Sequence, residues 1–184
     1  MTLQELLTAT LQQLDRGTDA QTLESWRDKL TRYLNDAVAD LTGVIKPFRT
    51  DDAVIENGMV DLAALPRRCI KVLRLMRGET RLPFYYGVGS DKIHVPAVTD
   101  GPVRICYRYL PEAMRADTDE PDLPERYDAD GAIVLYAVGR ERAAGDGSSI
   151  AAARACFELY EMAKRRIRNH AGEDEAYRLL NRYV

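Results

Sequence analysis

Leu3, Leu6, Leu7, Thr10, Leu11 and Leu14 recur at three- and four-residue steps, the signature of an amphipathic helix over about residues 2–15. Thr2 and Glu5 have capping-box spacing, in which hydroxyl and carboxylate satisfy backbone N–H groups at a helix start. Gly17 supplies a stop. A longer stripe follows: Leu23, Trp26, Leu30, Tyr33, Leu34, Ala37 and Leu41 predict a helix over about 19–42, capped by Thr18 or Asp19 and ended by Gly43 and Pro47. The short Asp15–Thr18 turn makes the two an αα-hairpin.

From Val44 to Tyr109 the period changes to two. Asn57-Gly58, between AVIE and MVDL, signals a hairpin, because a type I′ turn needs positive φ at both central positions. Residues 69–76, 81–86 and 92–95 read as strands separated by glycine turns, with Pro83 favouring an edge or a bulge. The clearest strand follows Asp100-Gly101-Pro102. There Val103, Ile105, Tyr107 and Tyr109 face one way and Arg104, Cys106 and Arg108 the other. Adjacent strands and short turns predict a mainly antiparallel sheet, as a small sandwich or barrel.

Leu110-Pro111 ends that strand, and ADTDEPDLPE (116–125) is a polar linker. Pro124 suits the first turn of a helix over about 124–143, which buries Tyr127, Gly131, Val134, Leu135 and Val138. Gly131 and Gly139 each cost roughly 1 kcal/mol against alanine in a helix, so close helix contact is expected at both. Gly145-Asp146-Gly147 is a turn, and Ser148 can cap a final helix over about 149–170, with Ile150, Ala153, Phe157, Tyr160, Ala163 and Ile167 in register. Tyr177, Leu180 and Val184 keep near-helical spacing in the segment beyond Gly172. The fold class is therefore α+β: a bundle of about four helices (1–46 and 122–171), an inserted β region with its linker (47–121) and a C-terminal tail (172–184).

Composition narrows the functions available. The 184 residues carry a formal net charge of −3, with 46% hydrophobic and 30% charged side chains. That balance argues against a nucleic-acid coat and against a surface that clings to anionic membranes. Cys69, Cys106 and Cys156 are far apart and form no CxxC pair, so neither a zinc site nor a disulfide framework is indicated, and a reducing cytoplasm is the natural setting. No apolar run approaches the ~18 residues of a membrane span, and MTLQELLTAT lacks the pattern of a signal peptide.

The candidate chemistry is thin. Gly87-Val88-Gly89-Ser90-Asp91 is not GxGxxG and has strands on both sides, so it reads as a hairpin turn and not a phosphate cradle. Asp117, Asp119, Glu120 and Asp122 lack the glycine and distal glutamate of a calcium loop and read as a solvated acidic linker. His94, in a short strand, and His170, at a helix C-terminus, have no nucleophile or acid paired with them by sequence. No two acids are nominated as an acid/base pair, no cofactor is implied, and the chain is expected not to be an enzyme. Lys164, Arg165, Arg166 and Arg168 form the one basic cluster. It suits either phosphate contacts or the solvated end of a helix, where cations complement the dipole. The tail, EDEAYRLLNRYV, carries many interface-type anchors, and either folds back on the bundle or binds a partner.

YLNDAVADL in the second helix, NGMVDLAALPRRCIKVLRLM in the β region, and YRYLPEAMRADTDEPDLPERYDADGAIVLYAVGRERAAGD across the linker resemble the head–tail adaptor (connector) proteins of tailed bacteriophages. The resemblance covers about residues 30–150 and rests on the order of elements. It implies a ring, usually dodecameric, docked beneath the portal protein in the neck of the virion after assembly in the host cytoplasm. The ring extends the channel for genomic DNA, which passes without specific binding, and gives the next neck or tail protein a platform. It also implies a C-terminal segment that reaches into the portal, a place taken here by Tyr177, Leu179, Leu180, Arg182, Tyr183 and Val184. Arg165, Arg166 and Arg168 are candidates for a secondary contact. The rival readings are a stopper or tail-completion (terminator) protein, a DNA-binding module at Lys164–Arg168 and, last, an enzyme.

Overall fold

The computed structural model describes the backbone of residues 1–87, 91–145 and 147–180, and side chains within that span except those of 148 and 170–180. It divides into two compact units, Met1–Ile45 with Glu112–Val184, and Lys46–Pro111.

In the first unit, α1 (Leu3–Gln13) starts with both halves of the capping box in place. The Glu5 N–H donates to Thr2 Oγ1 at 3.3 Å, and the Thr2 N–H donates to Glu5 Oε2 at 2.8 Å. The helix stops at Leu14 because Asp15, and not Gly17, takes the left-handed conformation, with φ 55°. Asp19 caps α2 (Ala20–Ile45), its carboxylate accepting from the Thr22 N–H at 3.0 Å and the Thr22 hydroxyl at 2.7 Å. α2 runs through Gly43. Ile45 continues the buried stripe, and the chain turns out only at Lys46, φ 50°, just before Pro47.

The expected helix over 124–143 is interrupted. Residues Glu125–Tyr127 form a single 3₁₀ turn, Asp128 is left-handed, and α3 (Asp130–Arg142) begins after it. The break lets Tyr127, Ala129 and Ile133 all enter the core. α2 and α3 each pack on both other helices, α1 and α4 (Gly147–Leu180), and on one another, with the most extensive contact between α3 and α4. The four fully buried leucines of α1, Leu3, Leu6, Leu7 and Leu11, each contribute roughly 1.5–3 kcal/mol to this core. Gly139 is buried, and a Cβ there would stand 3.1 Å from the Phe157 ring; Gly131 is exposed, with open space around it. Close helix contact therefore explains Gly139 only.

The linker is not a free acidic strap. The Leu3 and Gln4 N–H groups, orphans at the start of α1, donate to the Asp119 and Asp117 carbonyls at 2.7 and 3.2 Å. The Asp119 carboxylate accepts from the Arg115 and Ala116 N–H groups at 2.7 and 2.8 Å, and Asp117 pairs with Arg27 of α2. Asn35 clamps the buried Met114 at both ends of its backbone: Nδ2 donates to the carbonyl at 3.1 Å, and the N–H donates to Oδ1 at 2.9 Å.

The second unit holds two antiparallel sheets. β1 (Phe48–Ile55), β7 (Gly101–Tyr109), β3 (Cys69–Arg77) and β4 (Thr80–Leu82) lie side by side in that order in a four-stranded sheet. β2 (Met59–Asp61), β6 (Lys92–His94) and β5 (Tyr85–Tyr86) make a three-stranded one. β7 is interior, and Val103, Ile105, Tyr107 and Tyr109 are buried on the face the alternation predicts. They share one core with Ile55, Val72, Leu75 and Leu82 of their own sheet and Val60 and Ile93 of the other.

Two expected strand relations differ. Residues 81–86 are not one strand. Pro83 and Phe84 lie outside the ladders, β4 pairs with β3, and β5 pairs with β6. Nor do the strands flanking Asn57-Gly58 pair along their length, although both turn residues have positive φ (52° and 75°) as a type I′ turn requires. A single bridge joins Glu56 to Met59, after which β1 follows β7 and β2 follows β6.

Candidate assembly surfaces

The helical unit presents α4 as its most distinctive surface. Ala153, Tyr160 and Ile167 point into the bundle. The opposite side carries Ala151, Ala155, Leu159 and Met162, with Arg154, Glu158, Glu161, Arg165 and Arg166 beside them, all exposed. Leu159 is 51% and Met162 60% exposed, and three residues apart they lie side by side on one helix face.

Position on that helix splits the basic cluster. Lys164 turns toward α2, where its Nζ lies 2.5 Å from the Asp40 carboxylate. The Tyr160 hydroxyl donates to the same oxygen. Burial favours the neutral forms of Asp40 and Lys164, but the contacts outweigh it: Asp40 is held below the usual carboxylate range and Lys164 above the usual ammonium value. Tyr160 is pushed well up by burial and by the adjacent carboxylate. Lys164 is thus a fastening of α4 to α2, and Arg165, Arg166 and Arg168 remain as the exposed basic surface. Glu158 and Glu161, one turn earlier, dilute its charge, which leaves it a poor phosphate track.

The expected tail begins inside this helix. Backbone turns continue through Gly172 to Leu180, so Tyr177, Leu179 and Leu180 sit on helical backbone, with side chains outside the described residues; Arg182, Tyr183 and Val184 lie outside them altogether. The last buried position among the described side chains is Ile167, after which the helix runs on for roughly 20 Å at 1.5 Å per residue. Residue 170 is accordingly within α4 and not at its end, and its side chain, like that of 148, lies outside the described residues.

At the other end of α4 a cleft of about 400 Å³ is lined by Trp26, Lys29, Glu141, Arg142 and Ser149. Its charges are committed to holding the bundle. Lys29 Nζ lies 2.6 Å from Glu141 and 5.3 Å from the Trp26 ring, and Arg142 donates to the Gln13 carbonyl at 2.7 Å.

In the β unit, His94 Nδ1 lies 3.0 Å from the Gly58 carbonyl oxygen, an atom that can only accept, so the histidine steadies the turn as a donor. Tyr107, interior to the core, donates to Asp51 at 2.7 Å, and Arg49 holds the same carboxylate at 2.6 Å. The Tyr86 hydroxyl accepts from the Val72 N–H at 2.5 Å, beside the two register shifts of β3. The loop between β5 and β6 joins antiparallel neighbours; its residues 88–90 lie outside the described ones. A second cleft, of about 500 Å³, opens between β1 and β2 with Asp52, Val54, Met59 and Asp61 on its walls. The sequence flagged none of these as a site. The signal it held was the pair of apolar residues, Val54 and Met59, on the exposed sides of their strands.

Among the described residues no group of three or more His, Cys, Asp or Glu side chains is placed to hold a metal ion, and no helix is long and apolar enough to cross a membrane. Comparison with curated proteins gives no match. The family model described as SU10 adaptor protein matches residues 1–183. Those residues take in every helix of the bundle and both sheets, and the chain therefore belongs to the SU10 adaptor family, a family of phage head–tail adaptors with a structural role.

Proposed function

We propose that the chain is a ring-forming adaptor of the phage neck, which docks on the portal protein, continues its DNA channel and offers the attachment platform for the next neck or tail protein. The match to the adaptor family along residues 1–183 carries this reading. Two features favour it. The exposed Leu159 and Met162 on α4 suit a surface buried in an assembly. The helical backbone runs on beyond Ile167 to Leu180, and the anchors proposed for docking are Tyr177, Leu179 and Leu180 with Arg182, Tyr183 and Val184 after them in sequence, Arg165, Arg166 and Arg168 coming earlier on the same helix. Tyrosine and arginine are the side chains most enriched at interface hot spots. A conduit is best served by weak DNA affinity, and a net charge of −3 is compatible with that. A ring subunit presents two different side-to-side surfaces, a heterologous arrangement that closes by rotation.

Electron microscopy of the full chain mixed with portal rings of its phage tests the proposal. Rings of the chain seated on the portal are expected. A chain ending at residue 172 is expected to keep its melting temperature and lose docking. Wild-type docking by that shortened chain would sink the tail assignment alone. Density on the tail side of the neck, without portal contact, would instead place the chain as a stopper or terminator.

A further inference from the structure

The turn at Asn57-Gly58 sends its two strands to different sheets, and the parting leaves two strand edges facing each other. The Glu56 N–H donates to the Met59 carbonyl at 2.8 Å, and the Met59 N–H donates to the Glu56 carbonyl at 3.0 Å. Main-chain groups alternate sides along a strand. The groups of Glu56 and Met59 point at one another, so those of Val54 and Asp52 on β1, and of Asp61 on β2, point the same way, into the gap. Beyond the one bridge, β1 and β2 share no ladder. The gap is the cleft of about 500 Å³ described above.

An open strand edge is a template for another strand. The chemistry of the cleft narrows what that strand can be. Asp52, Glu56 and Asp61 line it and form no ion pair among the described residues; Lys92 is the single cation on the walls. Val54, 57% exposed, and Met59, 41% exposed, stand on the two banks as apolar footholds. A second copy of the chain entering by its own β1 would set Asp52 and Glu56 against Asp52 and Glu56, and nucleic acid would bring phosphates to three carboxylates. Both are repelled. A segment in which arginine or lysine alternates with apolar residues complements the three carboxylates, which outnumber Lys92, and the two apolar footholds.

We propose that this cleft takes up an extended, cationic segment of a partner protein as an added β-strand along Asp52–Val54. Main-chain hydrogen bonds supply the affinity, and the carboxylates and the two apolar footholds supply the selection. The pairing chemistry does not depend on whether the chain binds a portal.

The test uses the full isotope-labelled chain and two capped hexapeptides, one alternating arginine with valine and one alternating glutamate with valine, read by amide hydrogen exchange. At saturation the arginine peptide is expected to slow exchange of the Asp52, Val54 and Asp61 amides at least tenfold. The glutamate peptide is expected to leave them unchanged. Asp52→Asn with Asp61→Asn should weaken binding several-fold, while an unchanged dispersed spectrum reports an intact fold. Three results would each overturn the proposal: no protection by the arginine peptide, equal protection by the glutamate peptide, or protection that rises with protein concentration alone and so marks a second copy as the occupant.

Discussion

The Phe157 ring of α4 fills the place that a side chain on Gly139 of α3 would occupy, its nearest carbon 3.1 Å from the would-be Cβ. The same ring meets Tyr136 edge-on, with centroids 6.0 Å apart. Gly139→Val should therefore force the helices apart and lower the stability of the bundle by about 1–3 kcal/mol. Gly43→Ala, in α2 with nothing within 4 Å of the added carbon, should raise it by roughly 0.5–1 kcal/mol. Urea midpoints of the two variants check the pair. Equal shifts of one sign would mean that backbone propensity, and not the ring, governs Gly139.

Adjacent residues of α4 should respond oppositely to removal. Lys164→Ala frees Asp40 and leaves Tyr160 as its one remaining partner of the two; a loss of about 1 kcal/mol is expected for a contact that is only partly buried. The combined Arg165→Ala, Arg166→Ala and Arg168→Ala variant touches exposed side chains and should stay within about 0.5 kcal/mol of the parent. In the portal-docking experiment the order should reverse, with the triple variant the weaker binder. A triple variant that melts early would recast the arginines as structural.

Both units should share one alkaline limit. Tyr160 beside Asp40 and Tyr107 beside Asp51 keep their protons well above the ordinary tyrosine value of 10.0, through burial first and the neighbouring carboxylate second. Lys164 also holds its proton above 10.5, because Asp40 outweighs the opposing effect of burial. As pH rises past 10, these three groups keep protons in the folded chain that the unfolded chain has lost, so their contribution to stability is fully present below that pH and falls above it. Asp40 and Asp51, held low, act at the other end: their contribution is present above 3.8 and lost as pH falls below it. Denaturation midpoints measured from pH 6 to 12 should slope gently down past 8 and 9, where the Met1 amino group, held up by Asp130, and the buried Cys69 thiol begin to contribute, and decline more steeply past 10; Tyr160→Phe or Tyr107→Phe should each flatten part of the steeper decline. An unchanged slope in both variants would refute this assignment.

Local signals in the sequence survived where their physics is local. The Thr2–Glu5 box, the Asp19 cap, the left-handed pair at Asn57-Gly58 and the inward alternation of β7 all stand as the chain spells them. What failed depended on distant partners. RLPFYY reads as one strand until β3 claims one half and β6 the other. The linker acids stay largely exposed, as their sequence suggests, but nothing local announces that Leu3, more than a hundred residues earlier, donates to the Asp119 carbonyl. Lys164 looks like its arginine neighbours until Asp40 turns it inward. The cleft between β1 and β2 was illegible for the same reason. A turn sequence states that the chain reverses, not that the strands it joins remain partners.

The helical unit is written in two pieces, with Lys46–Pro111 between them. On a ribosome adding about 5–20 residues per second, several seconds separate Ile45 from Glu112. During that interval the β unit, which is contiguous, has all its strands, whereas the leucines of α1 still await Ile133 and Val134 of α3. The insertion is thus a clock as well as a part. It is complete in the chain before α3 exists, and until then the α1 stripe has only α2 to pack against and lies partly open to a chaperone or a premature neighbour.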